Sequence, residues 1–316
     1  MKFATLSHLL NENNIKQIPP SWIKNDYIIS PELDIDGAKG YVIALNLLPK
    51  QVIEFPREYI RNKIIETALI AQNKYGVEII QLGALTTSVT NGAKWLADQK
   101  EYTGFVTHGD SYTASVTIHA VLKALEKFNK NSEELILAII GAYGIIGEAI
   151  SKILVPHFKF SKLIGRRKEK LDELTTKIKG NYETTTELYI KDSDVIVTAT
   201  SHPTALLKEK HLKKNAIVVD VSQPPNLTQD ILALRKDVIR IDGGLVDFPR
   251  AYLMPIPGIP KGKNFACIAE VIMQAMENEE KNHVGSIDLN HMKKTEKWGE
   301  KYDYILKELT NFGKKI

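Results

Sequence analysis

Leu135-Ile-Leu-Ala-Ile-Ile140-Gly-Ala-Tyr-Gly-Ile-Ile-Gly147-Glu-Ala-Ile150 is the stretch whose reading decides the fold. It opens as a wholly apolar run of strand length and turns through Gly141, Gly144 and Gly147. It then continues with apolar residues at helical spacing, Ile146, Ile150, Ile153 and Leu154. A strand, a tight glycine turn and a helix are expected. Glycine lets the backbone turn this sharply and leaves room for a pyrophosphate at the helix N-terminus, where unpaired N–H groups and the helix dipole favour negative charge. The spacing, G-x-x-G-x-x-G, is one residue wider at the front than the commoner dinucleotide fingerprint, so its meaning comes from the elements around it. Tyr143, Ile145 and Ile146 lie within the turn and join the glycines as candidate cofactor contacts.

Working outward, the next strand, 158–164, ends in Gly165-Arg166-Arg167-Lys168. Domains that use NAD place an acidic residue about 20 positions after the turn to hold the ribose hydroxyls. Glycine and two arginines stand there instead. A carboxylate repels a 2′-phosphate, whereas arginine binds it with charge-assisted hydrogen bonds, so Arg166 and Arg167 point to NADPH. The alternative is a solvated basic start to a helix over 168–178. Two further apolar strands, 194–200 and 216–222, end in small or polar residues. They deliver Thr198, Ala199, Thr200 and Val221 to the carboxyl edge of a parallel sheet. Gly244, in the Asp242-Gly-Gly turn, and Thr113 complete the candidate cofactor set.

The fold expected is α/β: an NAD(P)-binding, Rossmann-type doubly wound parallel sheet with an additional N-terminal α/β domain and C-terminal helices. The polar stretch 129–134 marks a boundary. The expected domains are an N-terminal α/β substrate domain over 1–129, a nucleotide domain over 130–255, and a helical segment over 256–316 that packs back on the first. A Pro- and Gly-rich linker, 254–262, leads into that last segment.

The 316 residues suffice for two domains, and 43% hydrophobic with 25% charged residues is the balance of a folded globular chain, not a disordered one. A net charge of +4 is too mild to suggest nucleic acid. The first ten residues carry too short an apolar run for a signal peptide, and no segment has the length of a membrane span, so a soluble, cytoplasmic protein is expected. The eight histidines show no ligand spacing, and no metal site is expected.

Two polar loops follow strands in the first domain. Gly83-Ala-Leu-Thr-Thr-Ser88 is small and hydroxyl-rich. The second, 105–114, concentrates His108, Asp110, Ser111, Tyr112 and Thr113 ahead of a helix over 114–128, with Asp110 or Ser111 as its N-cap. The single cysteine, Cys267, lies in Lys263-Asn-Phe-Ala-Cys-Ile-Ala-Glu270. With Asn264 as cap, Cys267 falls in the first turn of a helix, where the dipole lowers a thiol's pKa. Glu270, three residues on, is a candidate base, although its charge opposes thiolate formation. The plainer alternative is an inert core cysteine.

The segments Gly-Asp-Ser-Tyr-Thr-Ala (109–114), Gly-Ala-Tyr-Gly-Ile-Ile-Gly (141–147), Asp-Gly-Gly-Leu-Val (242–246) and Asn-Phe-Ala-Cys-Ile-Ala-Glu (264–270) occur in this order. In this the chain resembles the long-chain acyl-(acyl carrier protein) reductases best known from cyanobacteria, over nearly its whole length. The resemblance implies NADPH-dependent reduction of a fatty acyl thioester to an aldehyde through an acyl-cysteine intermediate. Cys267 stands at the nucleophile position, and Ser111 is a candidate for stabilising the oxyanion. Tyr112, a further candidate catalytic residue, stands where the family carries a histidine, and His108 is an extra residue. The acyl donor implied is acyl carrier protein or acyl-CoA; basic runs at 208–214 and 293–301 suit an acidic carrier. The segment 218–226 also resembles glutamyl-tRNA reductases and shikimate dehydrogenases. This leaves open an NADP oxidoreductase acting on a small substrate, or a non-catalytic NADP-binding sensor.

Overall fold

Six strands build the first sheet: β1 (Phe3–His8), β2 (Tyr27–Ile29), β3 (Leu33–Ile35), β4 (Ala38–Leu45), β5 (Ile79–Leu82) and β6 (Phe105–Thr107). In this computed structural model, which describes residues 1–10, 12–202, 204–250 and 260–316, β1 lies between β4 and β5 and runs parallel to both. β6 extends the sheet beyond β5 in the same direction, and β2 and β3 pair antiparallel with β4. Ala4 and Leu6 of β1 pack with Ile43, Ile80 and the apolar stripe Ile60, Ile64, Ala68 and Ala71 of helix Arg57–Tyr75. That helix starts after Pro56 and stops at Gly76, whose left-handed conformation (φ 67°) turns the chain out. The other face of the strands is also buried, through Phe3, Thr5 and Ile79, and helix Ala266–Met276 contacts the same β1, β4 and β5. Strands covered on both faces read as continuous apolar runs, which is why 79–82 is legible as a strand.

The second sheet comprises β7 (Ile136–Ile140), β8 (Phe160–Ile164), β9 (Tyr182–Thr185), β10 (Val195–Thr198), β11 (Ile217–Asp220) and β12 (Ile239–Asp242). Their order is β12-β11-β10-β7-β8-β9, with every neighbouring pair parallel. The chain winds outward from β7 to β9, returns, and winds the other way from β10 to β12. This is the doubly wound dinucleotide-binding order, and its reversal, between β7 and β10, is where such sheets open a crevice at the strands' carboxyl ends.

The chain divides into two compact units, Met1–Tyr112 with Val246–Ile305, and Thr113–Leu245 with Leu306–Ile316. These bounds differ from the expected 1–129, 130–255 and 256–316. The first division falls inside helix Asp110–Lys127 because Glu270 holds that helix's first turn within the first unit. The last residues join the second unit because Asp242, ending β12, accepts hydrogen bonds from Thr310 Oγ1 (2.8 Å) and the N–H groups of Phe312 (3.1 Å) and Gly313 (2.7 Å). Of the linker read at 254–262, residues 254–259 lie outside the described residues. Among the described residues no helix is long and apolar enough to cross a membrane.

The glycine turn carries a test of sign. Alanine for glycine inside a helix ordinarily stabilises by about 1 kcal/mol. At Gly147, in helix Ile145–Leu154, a Cβ would lie 2.1 Å from the Gly141 carbonyl oxygen. Gly147→Ala is therefore expected to destabilise by about 1–3 kcal/mol in urea unfolding, as overpacking does. A variant as stable as the parent would show that the turn and helix are not in this close contact.

Candidate active site and dinucleotide cradle

In the second unit, Gly141 adopts φ 86°, and a Cβ there would lie 2.3 Å from the Ala199 carbonyl oxygen. The end of β10 thus closes on the turn after β7. The first intrahelical bond runs from Glu148 N–H to Gly144 O (2.7 Å), so the N–H groups of Ile145, Ile146 and Gly147 precede the helix ladder. Gly144, the N-cap, offers no side chain to satisfy them. A half-buried turn whose leading N–H groups precede the helix ladder suits a pyrophosphate. The Tyr143 ring fills the space over Gly165, with the Arg167 guanidinium 5.4 Å from its centroid. Arg166 and Arg167 are exposed at the end of β8. Thr113 and Val221 both pack on Gly244, at 2.8 and 3.1 Å from where its Cβ would be. Thr200 N–H donates to Ser222 Oγ (3.1 Å).

Thr198 departs from its expected place at the cofactor. It is buried, and its hydroxyl donates to Asp220 Oδ1 (2.5 Å). Asp220 is an anchor that sequence reading missed: its Oδ2 accepts from Asn226 N–H (2.8 Å) and Leu227 N–H (3.1 Å), with Arg240 at 3.4 Å.

In the first unit, Cys267 occupies the first turn of helix Ala266–Met276 and keeps partial exposure. Gly109, with φ 70°, packs directly on it: a Cβ there would lie 2.6 Å from Cys267 Cβ and 2.7 Å from its Cα. Only glycine permits this approach, and it sets the start of helix Asp110–Lys127 against the cysteine. The helix begins four residues earlier than expected. Neither Asp110 nor Ser111 caps it; His108 Nδ1 accepts the Asp110 N–H (2.9 Å), Thr107 Oγ1 accepts the Gly109 N–H (3.1 Å), and Glu270 Oε2 accepts the Tyr112 N–H (2.7 Å). Asn264 does not cap the cysteine helix either. Phe265 is the N-cap, and Asn264 Oδ1 accepts the Phe265 N–H (2.8 Å).

The electrostatics reverse one expectation. The Cys267 thiol is pushed up to about 12 by burial, then by the carboxyls of Asp110 and Glu270, which together outweigh the N–H groups of Ile268 and Cys267. The helix N-terminus alone does not make a thiolate. Asp110, expected only as a cap, is pushed up to about 8 by burial and the Glu270 charge, which poises its carboxyl to hold or release a proton near neutral pH. Burial acts to raise Glu270 as well, but the hydrogen bond and charge of His291, with His108 and the Tyr112 N–H, bring it below the ordinary carboxylate value. Glu270 is fully buried between Thr107 Oγ1 (3.3 Å), Tyr112 N and His291 Nε2 (3.3 Å). With its lone pairs so engaged, it is a positioning residue and not the base beside the thiol.

Tyr112 is also corrected. Its hydroxyl donates to the Tyr304 carbonyl and packs against Gly299, inside the protein. Ser111 is buried in the first turn of helix Asp110–Lys127. The loop at 83–88 becomes a short helix, Leu85–Val89, and its hydroxyls serve the backbone: Thr86 Oγ1 donates to Gly83 O (2.7 Å) and Thr87 Oγ1 to Leu82 O (2.6 Å). The basic runs are partly neutralised by Lys213 with Asp194, Lys294 with Glu279 and Lys301 with Glu277. His108, marked in the sequence by the polar residues around it, is buried, as are His283 and His291, which no sequence signal distinguishes.

The family described as shikimate / quinate 5-dehydrogenase matches residues 123–243. The chain is 24% identical over 252 residues to the aminotransferase PigE of Serratia sp., covering 76% of this chain and 29% of that protein. It is 24% identical over 268 residues to a long-chain acyl-(acyl carrier protein) reductase of Synechococcus elongatus, covering 79% and 77%. A glutamyl-tRNA reductase of Christiangramia forsetii is 25% identical over 221 residues, covering 68% and 49%. The chain therefore spans less than a third of the first relative and about half of the last. Among solved structures, L-tryptophan dehydrogenase from Nostoc punctiforme is similar with a TM-score of 0.45 and 14% identity, over 96% of this chain and 80% of that one. Shikimate dehydrogenase from Aquifex aeolicus has a TM-score of 0.43 and 14% identity, over 93% and 97%. The chain is a distant relative of NAD(P)-dependent oxidoreductases, with the acyl-(acyl carrier protein) reductase one of several at similar identity.

Asp110 should leave a mark on stability. Unfolded, it ionises near 3.8; folded, it keeps its proton to about 8. The native state then binds more protons across that window, so the stabilisation present below about pH 4 is lost as pH rises towards 8. Asp110→Asn is expected to flatten this slope, gaining on the order of 1–3 kcal/mol over the parent at pH 8 relative to pH 4. Urea unfolding at both pH values checks it; parallel slopes for parent and variant would remove Asp110 from the account.

Proposed function

We propose that this protein is an NADP(H)-dependent oxidoreductase that acts on a carbonyl compound at the Asp110–Cys267 pair. The observation carrying the proposal is the packing of Gly109 on Cys267, which places a carboxyl poised near pH 8 by the only thiol in the chain. The site geometry favours reduction of an acyl thioester to an aldehyde. Ionised Asp110 takes the Cys267 proton as the sulfur attacks the acyl carbonyl. The bond from the acyl carbon to the carrier sulfur breaks, and the carrier thiol, of acyl carrier protein or coenzyme A, departs with a proton. Ser111 and the N–H groups of the first helical turn are the donors proposed for the oxyanion. When bound at the Gly141–Gly147 turn, a nicotinamide dinucleotide would supply a hydride to the acyl carbon; the bond from that carbon to the Cys267 sulfur would then break, freeing the aldehyde and returning the thiol with a proton taken from water.

A second reading is supported at least as strongly by the relatives: direct oxidoreduction of a small hydroxy or keto substrate, as in the shikimate / quinate dehydrogenase family. One feature of the site favours it. The thiol is held neutral, pushed up to about 12, as a packing cysteine is. Protonated Asp110 is then the acid that completes the alcohol.

The two readings differ in what they ask of Cys267 and in the sign of their pH dependence. Under the first, the parent protein mixed with an acyl thioester and no cofactor gains the mass of one acyl group. Its acylation rate rises with pH through about 8, where Asp110 ionises. Cys267→Ser is expected to lose aldehyde formation by at least about 1,000-fold while retaining NADPH binding, since serine without a strong base is a poor nucleophile. Under the second, no mass is gained, Cys267→Ser stays active, and ketone reduction falls as pH rises through about 8. A folded, NADPH-binding serine variant that still makes aldehyde at the parent rate rules out covalent catalysis.

The choice of NADPH rests on Arg166 and Arg167, exposed beside the cradle. Replacing both with alanine is expected to weaken NADPH binding by about 10-fold or more and NADH binding little, because only the 2′-phosphate contacts are lost. Equal losses, measured by fluorescence titration of each cofactor, would reduce the arginines to a solvated helix start.

A further inference from the structure

Glu279 and His283, in the segment between helix Ala266–Met276 and helix Leu289–Tyr302, meet His291 of the second helix, apart from the Asp110–Cys267 pair. One ligand atom from each lies within 4.8 Å of the other two. The imidazoles stack, with centroids 3.3 Å apart and planes within 6°. His283 is 7% exposed and His291 4%, and His283 Nε2 and His291 Nδ1 are buried without a hydrogen-bond partner. Leaving a buried polar atom unsatisfied is costly, so two side by side call for a common partner.

An imidazole binds a metal in its ring plane, so two stacked rings must splay to share one ion, and both nitrogens are without another partner to hold them back. Glu270 Oε1 lies 3.3 Å from His291 Nε2, which leaves Nδ1, the other ring nitrogen, as the one that faces a ligand. A carboxylate behind the far nitrogen of an imidazole is how metal-binding histidines are commonly oriented. His283 is pinned along β6: its N–H donates to Val106 O (2.9 Å) and its carbonyl accepts the His108 N–H (3.1 Å). Glu279 bonds Lys294 through Oε2, while Oε1 lies 3.7 Å from His283 Nε2. Glu279 is partly exposed, which gives an ion a way in.

We propose that Glu279, His283 and His291 form a zinc site, with two imidazoles and one carboxylate as ligands and water at the fourth tetrahedral position. The expectation of no metal came from spacing along the chain; the ligands lie at 279, 283 and 291, and the first two fall outside any helix, so no face pattern announces them. A zinc ion there fastens the segment to β6 and, through His291, holds Glu270 under the start of helix Asp110–Lys127.

The test uses the full chain, stripped with a chelator and dialysed against zinc, with metal per chain measured by mass spectrometry. One zinc per chain is expected, with a raised melting temperature and, on Co(II) substitution, the visible absorbance of a tetrahedral site. Glu279→Gln and His283→Gln are each expected to weaken zinc binding by more than about tenfold, since even an outer partner of a ligand is worth that much. Cys267→Ser should bind zinc as the parent does. Substoichiometric zinc in the parent after dialysis overturns the proposal, as does equal binding by the parent and a folded Glu279→Gln, His283→Gln double variant.

Discussion

A carboxylate removed from water must be met by donors or opposing charge, and the first unit is arranged around the way Glu270 meets that requirement. Its two oxygens engage the Thr107 hydroxyl, the Tyr112 N–H and His291. Each partner belongs to a different element: the end of β6, the first turn of helix Asp110–Lys127 and helix Leu289–Tyr302. Glu270 itself rides on the helix that carries Cys267 and packs on β1, β4 and β5. One buried charge therefore fixes the position of the cysteine relative to Asp110, because an unpaired donor or acceptor in this interior would cost more than any alternative packing recovers.

The same charge shapes the chemistry. Glu270 stays ionised through its partners, and its field makes further negative charge nearby unfavourable. Asp110 answers by holding its proton to about pH 8, and Cys267 by staying a thiol. A site with one fixed anion and two groups that resist becoming anions suits proton transfer during a reaction, where charge moves onto a substrate oxygen instead of resting on the protein.

The second unit is organised by its glycine turn. Its glycines sit where backbone meets backbone: Gly141 against the Ala199 carbonyl and Gly147 against the Gly141 carbonyl. That closeness brings the helix N-terminus to the reversal between β7 and β10, at the strands' carboxyl ends. Asp220 and Asp242 then hold the neighbouring loop and the chain's last residues to this edge.

By itself the sequence determined the elements whose signals are local. The apolar runs of β7, β10 and β11 and the glycine turn are legible because parallel strands are buried on both faces and the turn admits no Cβ. The placement of Cys267 in a first helical turn was legible in the same way, from the run of apolar residues after it. Only the tertiary structure decided what depends on distant partners. Asp110 became a titrating group through burial and Glu270, far along the chain. Tyr112 and Thr198 were taken from the site by Tyr304 and Asp220, and His283 and His291 met by stacking across a segment without helical or strand period. Local sequence encodes backbone conformation, whereas the ionisation and bonding of a side chain follow from what folding brings against it.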